Sequence, residues 1–143
     1  MSRAEAEIAI AAPVDDVWTL VGDPLRWPEW QETMKRVEPV SANRYRVVGG
    51  NERRSYTYEI VVDAIEPSRR LVWRYAERIK GGGEYTLEPR DGTTGVRTAE
   101  TLQLAMLPGL RWVMEKVIFN RQYRKSAEGA LEALKERVEG IHA

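Results

Sequence analysis

Apolar and polar residues alternate with a period of two through the middle of the chain, which predicts β-strands. In residues 55–65, one predicted face carries Tyr56, Tyr58, Ile60 and Val62, and the other carries Thr57, Glu59 and Asp63. Similar strands are predicted at 44–50, 70–78, 81–89 and 94–104, separated by turn sequences rich in Gly, Pro, Ser and Asp. Consecutive strands with short turns favour an antiparallel meander. One face of this sheet is rich in aromatic residues and the other is polar, so we expect other elements to cover the sheet on one side only.

Helical spacing replaces this alternation near both ends of the chain. A strand is predicted at 4–10, followed by a short helix whose buried face carries Val14, Val17, Trp18 and Val21. The sequence GDP at 22–24 ends that helix, and a second short helix precedes the break at Pro28. A long helix is predicted from about Leu110 to about Val138, with an apolar stripe of Val113, Val117, Leu131, Leu134 and Val138. The order of one strand, two short helices, six strands and a long helix indicates an α+β fold.

Composition narrows the possible functions. The 143 residues predict a single domain over 1–143, and the net charge of zero argues against a nucleic-acid partner. The sequence has no cysteine and one histidine, His142, so we expect no metal site, no cofactor and no Ser-His-Asp triad. No apolar run reaches the roughly 20 residues of a membrane span, so we expect no integral membrane association. Residues 1–12 lack a signal-peptide core, which favours the cytoplasm.

Two segments carry a family resemblance. APVDDVWTLVGDPLRWPEW, with its Val-Trp on a helix and its Trp-Pro-x-Trp turn, and GGGEYTLEPRDGTTGVRTAETLQL, a late hairpin, resemble the START-like (SRPBCC) superfamily, polyketide cyclase/dehydrase branch. The resemblance implies a helix-grip fold like that of the birch pollen allergen. In this fold a seven-stranded curved antiparallel sheet wraps the long C-terminal helix around an apolar cavity. Trp18, Trp27 and Trp30 would then close the sheet near the two short helices, with Trp18 in the core and Trp30 in either the core or the cavity.

Two polar positions stand out on the predicted inward faces. Glu100 shares its face with Thr98 and Leu102, so a carboxylate enters the cavity unless a β-bulge flips the register and leaves it solvated. Arg124 lies seven residues from both Val117 and Leu131, and Asn120 lies on the same stripe. Between 117 and 131 the only aliphatic residue on that stripe is Ala127, which is typical of a helix that covers a cavity.

These observations predict that the protein binds a hydrophobic small molecule with a polar group, as a carrier or sensor. The candidate ligand-binding residues are Trp30, Tyr56, Tyr58, Trp73, Tyr85, Glu100, Asn120 and Arg124. An alternative is a polyketide cyclase or dehydratase, with Glu100 or a tyrosine as general acid or base and Arg124 holding an oxyanion. A protein-interaction module like the chaperone activators in this superfamily is a further alternative, because fold does not fix function. The oligomeric state is expected to be a monomer or homodimer.

A closed cavity requires an entrance, and the sequence offers a candidate. The proposed gate consists of Met106, Leu107, Pro108, Gly109 and Leu110, which are apolar or break regular pairing. The glycine-rich segments 49–51 and 80–83 are predicted to lie at the same rim. Gly81–Gly83 is interpreted as a flexible turn and bulge, because no Lys-Ser/Thr follows it as in a phosphate loop. All these segments are alternatively ordinary connectors.

Overall fold

The computed structural model describes residues 2–50, 53, 55–76, 80–103 and 120–142. The strands are β1 (Ser2–Ile10), β2 (Met34–Ser41), β3 (Arg44–Gly50), β4 (Ser55–Glu66), β5 (Arg70–Tyr75), β6 (Lys80–Arg90) and β7 (Thr93–Gln103). Helix α1 (Val14–Val21) and the 3₁₀ helix η1 (Pro24–Glu29) follow β1, and α2 (Asn120–His142) follows β7. None of the helices in these ranges is long and apolar enough to cross a membrane.

The seven strands form one antiparallel sheet in the order β1-β7-β6-β5-β4-β3-β2. Strands β1 and β2 are therefore the two edges, and α1 and η1 connect one edge to the other. Each remaining connection joins neighbouring strands, which confirms the predicted meander and the α+β helix-grip fold. The part of the long helix predicted before residue 120, including Val113 and Val117, lies outside the described residues.

Strand β2 is the element whose bounds the alternating pattern did not predict. Its sequence, MKRVEPVS, has a single buried residue, Val37, and contains Pro39. Proline is tolerated in a strand mainly at a sheet edge, where its missing N–H removes no ladder hydrogen bond. An edge strand with one buried residue carries too little periodicity for a sequence pattern to detect.

The prediction for the glycine segment of β6 was wrong. Gly81–Gly83 was interpreted as a flexible turn and bulge, but all three residues pair with β7, and Gly82 and Gly83 also pair with β5, as part of a strand. A Cβ on Gly83 would lie 2.8 Å from the ring of Trp73, and one on Gly82 would lie 2.2 Å from the Trp73 carbonyl oxygen. The glycines are therefore explained by the close approach of Trp73. Gly49 and Gly50 likewise belong to β3, while Asn51 lies outside the described residues.

The two faces of the sheet differ as the alternation predicts. The outer face carries ion pairs between neighbouring strands, including Arg97–Glu5 at 2.7 Å, Arg70–Glu84 at 2.8 Å and Arg74–Asp63 at 3.1 Å. Partly exposed pairs of this kind typically contribute less than about 1 kcal/mol each. The inner face is buried against α1, η1 and α2.

The core lies where the second half of α2 meets β1 and α1. Leu131, Leu134 and Val138 are fully buried from the helix side, as predicted. Trp27 is also fully buried, and its Nε1–H donates to the Val21 carbonyl at 2.9 Å, so the indole closes the core with its polar atom satisfied. Trp18 is half-buried and packs against the same cluster, in agreement with its predicted core role.

Polar contacts fix this end of α2 to β1 and η1. The Glu139 carboxylate accepts a hydrogen bond from the Ala11 backbone N–H at 2.9 Å, and Lys135 Nζ donates to the Ala9 carbonyl at 3.2 Å. Arg137 forms an ion pair with Glu29 at 2.7 Å. The C-terminal end of α2 is thus held in place by packing and by hydrogen bonds together.

Candidate functional site

A pocket of about 690 Å³ lies between the inner face of the sheet and the first half of the described part of α2. Six of the eight predicted ligand-binding residues line it, namely Trp30, Tyr56, Tyr58, Trp73, Tyr85 and Glu100. Tyr56 is half exposed and lies at the edge of the pocket, whereas Trp30, Trp73 and Tyr85 are buried. The volume is of the size that small-molecule sites in proteins occupy.

Arg124 was predicted to point inward, and the structure contradicts this. Its side chain is exposed and does not line the pocket. The prediction counted heptads, but an α-helix turns about 20° away from a seven-residue repeat with each heptad. Arg124 is thereby displaced to one flank of the buried stripe. The side chain of Asn120, the first residue of α2, lies outside the described part of the structure.

Two tyrosines that were not predicted also line the pocket. Tyr123 lies eight residues before Leu131 and reaches the pocket from the other flank of the α2 stripe. Tyr75 follows Trp73 by two residues, so the β5 alternation already placed it on the inward face. The signal for Tyr75 was therefore present in the sequence, whereas Tyr123 required the rotation of the helix to be known.

Small side chains on α2 leave the pocket open. Ser126, Ala127, Ala130 and Ala133 line it from the helix. They face aromatic side chains across the groove, so the separation between helix and sheet is not filled. Small side chains of α2 thus contribute to the open volume, while the next turns of the helix pack tightly on β1 and α1.

Glu100 is buried in this pocket, as its predicted inward face required. The register between β6 and β7 runs without interruption from Lys80↔Gln103 to Arg90↔Thr93, so the alternative of a bulge that exposes Glu100 is wrong. Its carboxylate accepts a hydrogen bond from the Tyr75 hydroxyl at 2.5 Å and another from the Tyr123 hydroxyl. Burial raises the pKa of Glu100 to about 7, although the two tyrosine hydrogen bonds act in the opposite direction.

Four tyrosine hydroxyls surround the carboxyl group at different distances. Burial, with a further contribution from the Glu100 charge, raises the pKa values of Tyr58, Tyr75, Tyr85 and Tyr123. These hydroxyls therefore remain protonated at neutral pH and act as hydrogen-bond donors. A tyrosine general base, one of the possibilities drawn from the sequence, is disfavoured by this environment.

Aromatic contacts hold the wall of the pocket together. The ring of Tyr75 lies edge-on to Trp73, with centroids 5.1 Å apart, and to Tyr58, at 5.6 Å. Tyr85 packs edge-on against Trp30 at 5.7 Å, and its hydroxyl accepts a hydrogen bond from Gln31 Nε2 at 2.9 Å. Rings that support one another in this way form a wall with little freedom to collapse into the pocket.

The proposed gate, from Met106 to Leu110, lies outside the described residues. Within the ranges that the structure does describe, no three His, Cys, Asp or Glu side chains cluster as metal ligands would. The chemistry available in the described part of the pocket is thus one carboxyl group, several hydroxyl groups and aromatic surface.

Comparison with known proteins identifies the family. Residues 1–139 match the family described as polyketide cyclase/dehydrase and lipid transport, whereas no curated protein matches the sequence. The chain resembles a START superfamily protein from Mycobacterium smegmatis with a TM-score of 0.78 at 13% identity, over 99% of each chain. It resembles the di-domain ARO/CYC BexL from the BE-7585A biosynthetic pathway with a TM-score of 0.78 at 22% identity, over 97% of this chain and 47% of that one. The Aha1 dimer from Colwellia psychrerythraea gives 0.72 at 14% identity, over 97% of each chain.

At such identities the solved structures show a common fold, and the match over residues 1–139 shows the family. The helix-grip architecture described above agrees with both. The chain belongs to the polyketide cyclase/dehydrase and lipid transport family.

Proposed function

We propose that the protein binds a hydrophobic small molecule in the pocket between the sheet and α2, as a carrier or sensor. The observation that carries this proposal is the contrast between the aromatic wall at Trp73 and Tyr85 and the small residues of α2 that face it. A globular core is normally filled to the density of an organic crystal. A volume of about 690 Å³ next to a well-packed core is therefore expected to serve a ligand.

The experiment fills the pocket and leaves the fold intact. Ala130→Leu adds an aliphatic side chain that would extend from α2 into the pocket. Glu132→Leu introduces the same side chain on the same helix at an exposed position that does not line the pocket. N-phenyl-1-naphthylamine, a neutral apolar fluorophore, serves as the probe because its emission rises in an apolar site.

We expect saturable binding of the probe to the wild type and to Glu132→Leu, with dissociation constants within about twofold of each other. Ala130→Leu should weaken binding by about tenfold or more, since a blocked pocket loses most of its apolar contact area with the ligand. Equal binding by all three proteins would place the probe elsewhere and reject this pocket as the site. Absence of saturable binding to the wild type would reject the binding function itself.

A second candidate, an enzyme of the cyclase or dehydratase type, is favoured by the environment of Glu100. A buried carboxyl group with a pKa of about 7 can donate or accept a proton near neutral pH. Tyr75 and Tyr123 would orient it and supply hydrogen bonds to a developing charge. Arg124, once a candidate oxyanion holder, takes no part because its side chain is exposed.

Native mass spectrometry of the purified protein would detect a co-purified ligand, and such a ligand would allow the two candidates to be separated. It would be extracted and added to the wild type and to Glu100→Gln, and conversion followed by liquid chromatography and mass spectrometry. An enzyme should convert the compound and lose on the order of 10²-fold or more in rate in the variant, with little change in affinity. A wild type that binds the compound and leaves it unchanged is a carrier or sensor.

A further inference from the structure

Few charged side chains line the pocket, and they differ in their exposure to solvent. Glu32, Glu100 and Lys125 are the charged residues among the described lining residues, and their sum is one negative charge. Glu32 and Lys125 are exposed, so water screens them, whereas Glu100 is buried. The electrostatic character of the pocket interior is therefore set by the Glu100 carboxyl group.

Among the side chains that the structure describes, the contacts of Glu100 are few for a buried anion. Tyr75 and Tyr123 donate one hydrogen bond each, and a carboxylate has about four acceptor positions on its two oxygens. No described Lys or Arg side chain contacts it. A buried carboxylate without a cation is costly, and the raised pKa of the group reflects that cost.

Aromatic rings lie beside the described contacts of this carboxyl group. Tyr75 hydrogen-bonds the carboxylate and lies edge-on to both Trp73 and Tyr58, which also line the pocket. Aromatic faces attract cations through their negative quadrupole and have no preference for anions. A carboxylate with open acceptor positions beside aromatic rings offers a cation both a charged partner and a favourable surface.

We propose that the ligand of this pocket carries a protonated amine on its hydrophobic body, and that this ammonium group pairs with Glu100. The inference rests on the proposed binding function and names the chemical class that the same pocket prefers. A ligand with a carboxylate or sulfate group would place two negative charges together in a buried site. A neutral ligand with a hydroxyl group would satisfy the carboxylate only in part.

The pH dependence of binding distinguishes these classes. Among the described side chains, the titratable groups around Glu100 are Tyr58, Tyr75, Tyr85 and Tyr123, whose pKa values are raised, together with the exposed Glu32 and Lys125 of the pocket lining. The tyrosines stay protonated throughout the range from pH 6 to pH 8. Glu100 changes charge within this range, since its pKa is about 7.

The test compares three probes with one hydrocarbon chain: decylammonium, 1-decanol and decanoate, measured by titration calorimetry at pH 6 and pH 8. An ammonium that pairs with ionised Glu100 should bind about tenfold more tightly at pH 8, because little of the group is ionised at pH 6. Decanoate should bind about tenfold more weakly at pH 8, and 1-decanol should change by less than about twofold. The ratio of ammonium to carboxylate affinity should thus rise about a hundredfold.

Two variants locate the effect. Glu100→Gln should abolish the pH dependence and the preference for decylammonium, with 1-decanol binding retained. Glu128→Gln removes the same charge from an exposed position of α2 that does not line the pocket, and it should leave the pH dependence and the preference for decylammonium unchanged. Near-UV circular dichroism, which reports the environment of aromatic side chains such as Trp73 and Tyr75, verifies that each variant is folded. The pH dependence of probe binding to the wild type tests the inference even if a variant does not fold.

The outcomes separate this inference from the proposed function. Saturable binding of all three probes with no change in their ratio between pH 6 and pH 8 would overturn the cation preference and leave the binding function standing. The same would follow from a preference for decylammonium that persists in Glu100→Gln. If none of the probes binds and N-phenyl-1-naphthylamine does not bind either, the binding function fails together with the inference.

Discussion

The groove between the sheet and α2 has two ends, and different side chains line each of them. At the end that we call the closed end, Leu131, Leu134 and Val138 of α2 pack against β1 and α1 with no exposed surface. At the other, the open end, Ala130 and Tyr123 face Trp73, Tyr75 and Glu100 across the pocket.

The difference teaches that the pocket depends on side chains as well as on the path of the backbone. At the closed end α2 packs directly on β1 and α1 with large aliphatic side chains, whereas at the open end it faces β5 and β7 with small ones. Stability is expected to depend mainly on the closed end and ligand binding mainly on the open end. Functional sites commonly conflict with optimal packing in this way.

The largest effect on stability should come from a truncation at the closed end. Leu134→Ala removes a fully buried aliphatic side chain and leaves a cavity, so we expect a loss of about 3 kcal/mol in the free energy of unfolding. Urea denaturation monitored by circular dichroism measures this. Ser126→Ala at the open end is the control and should change it by less than about 0.5 kcal/mol. A loss below about 1 kcal/mol for Leu134→Ala would contradict the tight packing of the closed end.

Glu100→Gln should stabilise the protein at the open end in a pH-dependent manner. The pKa of Glu100 is about 7 in the folded protein against 4.5 in the unfolded chain. Its contribution to stability is therefore fully present below 4.5 and is lost as the pH rises to about 7. Relative to the wild type, the variant should gain about 2–3 kcal/mol in unfolding free energy between pH 5 and pH 8.

The measurement is urea denaturation of both proteins across that pH range, so that contributions shared by both cancel. Glu128→Gln, at an exposed position of α2, controls for the loss of a negative charge. A constant difference between wild type and Glu100→Gln from pH 5 to pH 8 would show that burial does not perturb Glu100.

Gly83→Ala tests whether the glycine is needed because the Trp73 ring lies directly against the backbone at position 83. The new Cβ would lie 2.8 Å from the Trp73 ring and 2.9 Å from the Ala99 carbonyl oxygen, which cannot move without the strand. We expect a loss of about 1–3 kcal/mol in stability, together with a shift of the tryptophan emission. Gly140→Ala is the matched control, because a Cβ there has no heavy atom within 4 Å. A neutral Gly83→Ala with unchanged emission would remove this explanation of the glycine.

The smallest of these effects should follow from loss of one hydrogen bond to Glu100. The Tyr75 hydroxyl stabilises the ionised carboxylate, so Tyr75→Phe should raise the pKa of Glu100 further, by about one unit. Titration of the ¹³C-labelled carboxyl group by nuclear magnetic resonance reports it directly. Tyr56→Phe, at the edge of the same pocket, should leave the midpoint in place. A fall of the midpoint in Tyr75→Phe would reverse the assigned role of the hydroxyl.

Local patterns in the sequence were sufficient for the strands and their faces. Alternation has a period of two, so a strand assigned from its pattern also predicts which side chains point inward, and Trp73 and Tyr85 follow from that alone. For Glu100 the pattern left a β-bulge open as the alternative, and only the uninterrupted register of β6 and β7 decided it. Strand β2 was not delimited because an edge strand with only Val37 buried has almost no such pattern.

Features that depend on contacts between different strands and helices could not be predicted from these local patterns. Position 83 of β6 is a glycine because the Trp73 ring of the neighbouring strand occupies the space of a side chain, and no spacing within β6 indicates this. The choice between Tyr123 and Arg124 depended on the rotation of α2 about its axis. A seven-residue count cannot fix that rotation, because the period of the helix is 3.6 residues.

The central claim is that a ligand binds at the open end of the groove and does not contact the closed end. Intermolecular nuclear Overhauser effects between bound N-phenyl-1-naphthylamine and methyl-labelled protein test this most directly. We predict contacts from the probe to the methyl groups of Ala130 and Ala133, and none to those of Leu134 and Val138. Contacts confined to Leu134 and Val138, or to exposed methyl groups such as those of Val40 and Ile65, would contradict the account.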